Sequence, residues 1–208
     1  DQSYMLYRLP KAILDMLLLP LSNLTKEEIR KKALEIGLTS SERAESQEIC
    51  FVPDDDYRNF LRSQVPDIDE KIGEGDIISP DGKVLGKHKG FPFYTIGQRK
   101  GLNVAVGHPV FVTEINPEKN TVTLGEREDL MRSEIVVADL NFMKYENLFS
   151  PMKLECKIRY NSRGVECEAR QEDDKLLIRF AEPVSAATPG QSAVLYEGDD
   201  VVAGGVIQ

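Results

Sequence analysis

The chain has 208 residues, 41% hydrophobic and 29% charged, with a formal net charge of −9. That length allows one large domain or two small ones, and the composition is ordinary for a globular chain. The acidic balance excludes diffuse attraction of the whole surface to a polyanion, so any nucleic acid must be met by local basic patches.

The chain opens Asp1-Gln2-Ser3-Tyr4, directly into an amphipathic pattern, which reads as a start inside a longer protein. No basic region followed by a short apolar run marks a signal peptide. Residues 3 to 37 read as helical, with Tyr4, Leu6, Tyr7, Ile13, Leu14, Leu17 and Leu18 on apolar faces and Pro10 and Pro20 as breaks. The greasiest run, Ala12 to Leu21, is interrupted by Asp15 and Pro20 and falls short of the roughly 20 apolar residues of a membrane span. Thr25-Lys26-Glu27-Glu28 is a capping box, in which hydroxyl and carboxylate each satisfy an orphan backbone donor. The helix it opens stops at Gly37. After the strand-like Ile49-Cys50-Phe51-Val52, a further helix is expected over 54–61, capped by Asp54 or Asp55.

From Gly73 onward the character changes to short alternating segments between Gly, Pro and Asp-Gly turns. Asp81-Gly82 signals one hairpin, and Asn116 to Asn120 joins Val110–Ile115 to Thr121–Leu124 in another. Strands are expected at 135–140, 153–160, 165–169, 176–180 and 193–196. The whole is an α+β chain, mostly β: a short helical piece, a small β-rich domain, then a β-barrel.

Several residues carry chemistry in their type and place. Cys50 lies between polar Glu45-Ser46-Gln47-Glu48 and apolar Phe51, where a strand end beside a loop leaves a thiol reachable. Composition alone would read it as a buried structural cysteine. Cys156 and Cys167 sit on the apolar phase of their strands and read as core. The three cysteines form no Cys-x-x-Cys pair and no zinc spacing, and an odd number suggests a reducing compartment. Lys83, Lys87, Lys89, Arg99 and Lys100, interleaved with His88, Phe91, Phe93 and Tyr94, are a local basic excess in an acidic chain. Such a run contacts phosphates and stacks on bases, or is a solvated face over an aromatic core. Lys157, Arg159 and Arg163 fall on the outward phase of one expected strand, with Tyr160 near its end. This is either an RNA-facing surface or plain strand exterior. Pro189-Gly190-Gln191 reads as a barrel corner, and His108 as a surface turn residue. No Gly-x-x-x-x-Gly-Lys-[Ser/Thr], Gly-x-Gly-x-x-Gly or Ser-Gly-Gly-x-Asp-Ser loop occurs.

Asp1-Gln2-Ser3-Tyr4, Ser46-Gln47-Glu48-Ile49-Cys50-Phe51, Tyr94-Thr95-Ile96-Gly97-Gln98-Arg99-Lys100-Gly101-Leu102, Lys157-Ile158-Arg159-Tyr160 and Thr188-Pro189-Gly190-Gln191-Ser192-Ala193-Val194 resemble, in order, segments of the tRNA-specific 2-thiouridylase family. The resemblance implies residues 1–52 as the last helices of an ATP-pyrophosphatase-type domain, 53–133 as a central domain and 134–208 as a barrel similar to those of translation elongation factors. It implies an ATP-dependent sulfurtransferase, Mg accompanying the ATP, that acts on the wobble uridine of the tRNAs for Lys, Glu and Gln. A cysteine desulfurase or sulfur-relay protein would supply the sulfur, in the cytoplasm and without a membrane. The family's persulfide cysteine falls on Cys50. A second cysteine, the ATP loop and the target-base contacts would lie in family segments outside these residues. Asp1, Gln2, Arg159, Tyr160 and Gln191 match tRNA-contacting positions.

The chain departs from the family pattern at Glu45 for Asp, at Asn103 for Gly, at Ala203 in a three-glycine run, and in lacking the lysine expected before Asp1. On residues alone two other readings stand beside the sulfurtransferase: a non-catalytic RNA-binding module with a structural Cys50, and a thiol redox protein.

Overall fold

The computed structural model describes residues 2–38, 52 and 56–208. It divides into two compact units, one of residues 12–66 and one of residues 1–11 with 67–208.

The smaller unit contains α2 (Lys11–Leu14) from its second residue, α3 (Lys26–Glu35) and α4 (Tyr57–Gln64). Before it, in the larger unit, stands α1 (Ser3–Leu6). The long helical stretch expected from residue 3 is thus three short helices, because Pro10 and Pro20 each remove a backbone donor. The capping box forms as the sequence dictates. Glu28 N donates to Thr25 Oγ1 at 3.3 Å, and Thr25 N donates to the Glu28 carboxylate at 2.7 Å. The helix expected over 54–61 runs instead from Tyr57 to Gln64, and its cap is Asp56, which accepts from Asn59 N at 2.9 Å. Three consecutive aspartates offered equivalent caps, and the third is used. Asp54 and Asp55 lie outside the described residues.

The larger unit also holds α5 (Ile68–Ile72) and ten strands. β1 (Gly75–Ile78), β2 (Val84–His88), β3 (Phe111–Asn116) and β4 (Thr121–Gly125) form a sheet in the order β2-β1-β4-β3. Both hairpins are where the turn residues put them, and a parallel β1–β4 pairing joins them. Ile77, Leu102, Val112, Val122 and Leu124 make this sheet's core. His88, 1% exposed, is neutral there by geometry: its Nδ1 accepts from Gly90 N at 3.0 Å, so its Nε2–H donates to Asn120 O at 3.1 Å. Asn103 adopts φ 53°, a left-handed conformation that asparagine tolerates better than most residues.

β5 (Met131–Phe142), β6 (Met152–Lys157), β7 (Val165–Glu172), β8 (Lys175–Ser185), β9 (Ser192–Glu197) and β10 (Asp200–Ile207) close into a barrel in the order β10-β5-β8-β7-β6-β9. The alternation read in β6 and β7 is the burial pattern, with Leu154, Cys156, Cys167 and Ala169 inward. The structure is therefore mostly β with short helices, as expected.

Candidate functional site

Two residues of α1 and two that follow it build a surface on the barrel mouth. Tyr4 donates its hydroxyl to Ser192 O at 2.8 Å, and Ser3 Oγ lies 3.1 Å from the Tyr196 hydroxyl. Just after the helix, the buried Tyr7 hydroxyl sits 2.9 Å from Ser192 Oγ and 3.2 Å from Gly205 O. Arg8 Nε donates to that same hydroxyl at 3.1 Å. On the other side, Asn141 Nδ2 donates to Leu9 O at 3.1 Å. Tyr4, Tyr7, Val194 and Tyr196 bury one another in a small cluster of their own. Burial pushes the Tyr4 hydroxyl up to about 12, so it stays a neutral donor at any physiological pH.

Against this helix lie Arg159, Tyr160 and Gln191. The strand expected over 153–160 ends at Lys157, so Arg159 and Tyr160 stand in a turn rather than on the outward phase of a strand. The turn is fixed by Ser162, whose Oγ accepts from Arg159 N at 3.2 Å and donates to Arg159 O at 2.8 Å. Nη2 of Arg159 donates to Ser185 O at 3.0 Å and Ala186 O at 2.8 Å, which pins one edge of the guanidinium to the end of β8. Tyr160 is 49% exposed and meets Tyr4 edge to face with ring centroids 6.2 Å apart. Gln191 is half-buried in the corner before β9, as read from Pro189-Gly190. Its buried Oε1 has no hydrogen-bond partner among the described residues.

These side chains line one open groove of about 580 Å³ with Tyr4, Met5 and Arg8. It offers two guanidinium groups, an exposed aromatic face and an unsatisfied amide. That set suits a phosphate backbone and an unpaired base. Lys157 is not in the groove; its Nζ stacks over the Tyr196 ring at 4.8 Å. Gln2 is exposed at the start of α1, and its carbonyl caps the helix by accepting from Met5 N at 2.9 Å. Asp1 and Cys50 lie outside the described residues.

The two described cysteines are core, as their phase indicates. Cys156 and Cys167 are 1% and 5% exposed, and contact with Cys167 and burial hold the Cys156 thiol well above its usual range. His108 is exposed, in keeping with a surface turn. Among the described residues no group of His, Cys, Asp and Glu could hold a metal ion, and no helix is long and apolar enough to cross a membrane. Tyr4, Tyr7 and Arg8 were not singled out from the sequence as site residues. Ser192, the partner of both tyrosines, is 188 and 185 positions away, and only the barrel closure brings them together; Arg8 joins through its bond to Tyr7.

Three family models match successive segments of the chain. Residues 1–54 match the tRNA methyl transferase HUP domain, 58–126 the tRNA methyl transferase PRC-barrel domain, and 132–207 the aminomethyltransferase β-barrel domain. Over the whole chain, identity is 48% to the tRNA-specific 2-thiouridylase MnmA 3 of Phocaeicola vulgatus. It is 45% to the tRNA-specific 2-thiouridylase MnmA of Chlorobium luteolum and 46% to that of Salinibacter ruber. The chain belongs to the tRNA-specific 2-thiouridylase family. It spans 56%, 58% and 55% of the length of these three relatives. All five segments quoted for the 2-thiouridylase resemblance fall inside the matched domains.

Proposed function

We propose that this chain is the RNA-holding and sulfur-carrying part of an enzyme that exchanges the C2 oxygen of the wobble uridine for sulfur in the tRNAs for Lys, Glu and Gln. The observation that carries this reading is convergence. The adjacent Arg159 and Tyr160 and the distant Gln191, three of the five proposed tRNA contacts, line a single groove although they come from two separate segments. In that groove Arg159 takes a phosphate, Tyr160 stacks on a base or ribose, and the Gln191 amide receives a donor. Asp1 and Gln2, the other two proposed contacts, precede α1 in the sequence.

Cys50 is the sulfur carrier in this reading. A persulfide is a soft donor that must form on a free thiol, and the buried, high-pKa Cys156 is unsuited to it. Cysteine desulfurase or a relay protein loads Cys50. ATP, with Mg, activates the uridine oxygen as a leaving group. The outer sulfur on Cys50 attacks C2 as that oxygen departs with AMP. A second cysteine thiol then attacks the Cys50 sulfur, forming a disulfide and releasing the 2-thiouridine. The activation and the second thiol are supplied by the part of the whole enzyme that these residues do not span. The setting is the cytoplasm. The full-length Cys50→Ser enzyme should bind tRNA normally and form no 2-thiouridine; undiminished thiolation would refute the assignment.

A further inference from the structure

A second cationic crevice lies beside the groove. Arg99 follows the Ile96-Gly97 turn of the small sheet domain, Arg127 follows β4, and Arg159 comes from the barrel; all three line one crevice of about 370 Å³. No carboxylate lines it, in a chain of net charge −9. Among the described residues the side chains of Arg99 and Arg127 have no hydrogen-bond or ion-pair partner, and both are exposed.

The scaffold under these side chains is fixed rather than incidental. Gly97 has φ +85°, and a Cβ there would stand 3.3 Å from the Ala186 Cβ, so the turn presses directly on the barrel. Ala186 N donates to Leu130 O at 3.0 Å, tying the same point to the segment after Arg127. Gly97 N and Val112 O, 2.8 Å apart, and Val112 N and Gln98 O, 2.9 Å apart, lock the turn to β3. With Nη2 of Arg159 held by Ser185 and Ala186, the rest of that guanidinium serves both groove and crevice. Three guanidinium groups without counter-charge raise the local potential and favour a doubly hydrogen-bonded oxyanion.

We propose that Arg99, Arg127 and Arg159 bind a backbone phosphodiester of the RNA, next to the nucleotide held at Tyr160. This rests on the RNA-binding reading above and adds a positioning contact that is independent of base sequence. It continues the track of the RNA from the barrel mouth onto the small sheet domain.

The test is the salt dependence of tRNA binding by the full chain, for the unsubstituted protein, Arg99→Gln/Arg127→Gln, and Arg170→Gln as a charge control on the exterior of β7. The double variant should bind about tenfold more weakly at moderate salt, equally for different tRNAs. Its log K against log salt slope should be shallower by roughly one to two, and Arg170→Gln should leave the slope almost unchanged. Equal melting temperatures verify the fold. A double variant whose slope matches the control overturns the crevice while leaving the groove intact. An unsubstituted chain that binds no tRNA overturns both. Inorganic phosphate bound through Arg99 and Arg127 with an unaltered tRNA slope overturns the RNA assignment of the crevice.

Discussion

The ring of Tyr7 fills the space that any side chain at Gly204 would need. β10 must therefore carry glycine where α1 lies down, and the tyrosine in turn reaches Ser192 and Gly205. This contact adds to the Ser3–Tyr196, Tyr4–Ser192 and Asn141–Leu9 hydrogen bonds in seating the wall of the groove on the barrel. Gly204→Val should force the two apart and lower stability by roughly 1–3 kcal/mol, as overpacking does. Urea unfolding reads this as a lower midpoint; an unchanged midpoint would show that α1 does not depend on the contact. Tyr7→Phe keeps the ring and should cost about 1 kcal/mol.

Tyr160 faces solvent, so its removal should affect binding more than folding. Tyr160→Ala should weaken tRNA binding by about 1–3 kcal/mol, the range for one lost stacking contact. Fluorescence titration against unchanged thermal unfolding measures it. Equal affinity for both proteins would take Tyr160 out of the RNA site.

His88 makes stability depend on pH. Desolvation lowers its pKa in the fold, outweighing the favourable carbonyl of Asn120. The unfolded chain therefore takes up this proton first, starting near the ordinary value of about 6.5. The stabilisation is complete above that value and is lost as pH falls through the lower folded value. Urea midpoints should drop between pH 7.5 and pH 5, and His88→Gln should flatten that part of the profile. An identical slope in the variant would contradict the assignment.

Cys156 and Cys167 should be silent toward a disulfide reagent in the native state at mildly alkaline pH and react on denaturation. Burial and the raised Cys156 pKa both suppress the thiolate. Rapid native labelling of either, mapped by peptide mass, would count against a closed barrel core.

The barrel was legible where strands alternate: Leu154, Cys156 and Ile158 announce an inward face, and all three are buried. β10 was not legible, because Ala203-Gly204-Gly205 has no alternation and is buried on both sides of the chain. Glycine there answers to Tyr7, a constraint that no local pattern contains. The end of β6 was misplaced for a related reason. Arg159 continues the polar phase of the strand, yet its guanidinium bonds to carbonyls at the end of β8. Of the site, Gln191 came from family resemblance and Arg159 and Tyr160 from resemblance and strand pattern together, whereas Arg127 meets Arg99 through the β3–β4 pairing and both meet Arg159 only where the sheet domain packs on the barrel.

The central claim is that one thiol carries the sulfur. The direct measurement is peptide mass spectrometry of the chain after incubation with a cysteine desulfurase and cysteine, with the persulfide trapped by alkylation. The account predicts one added sulfur atom, confined to the peptide bearing Cys50 and absent from Cys50→Ser. No added sulfur, or sulfur on Cys156 or Cys167 instead, would contradict it.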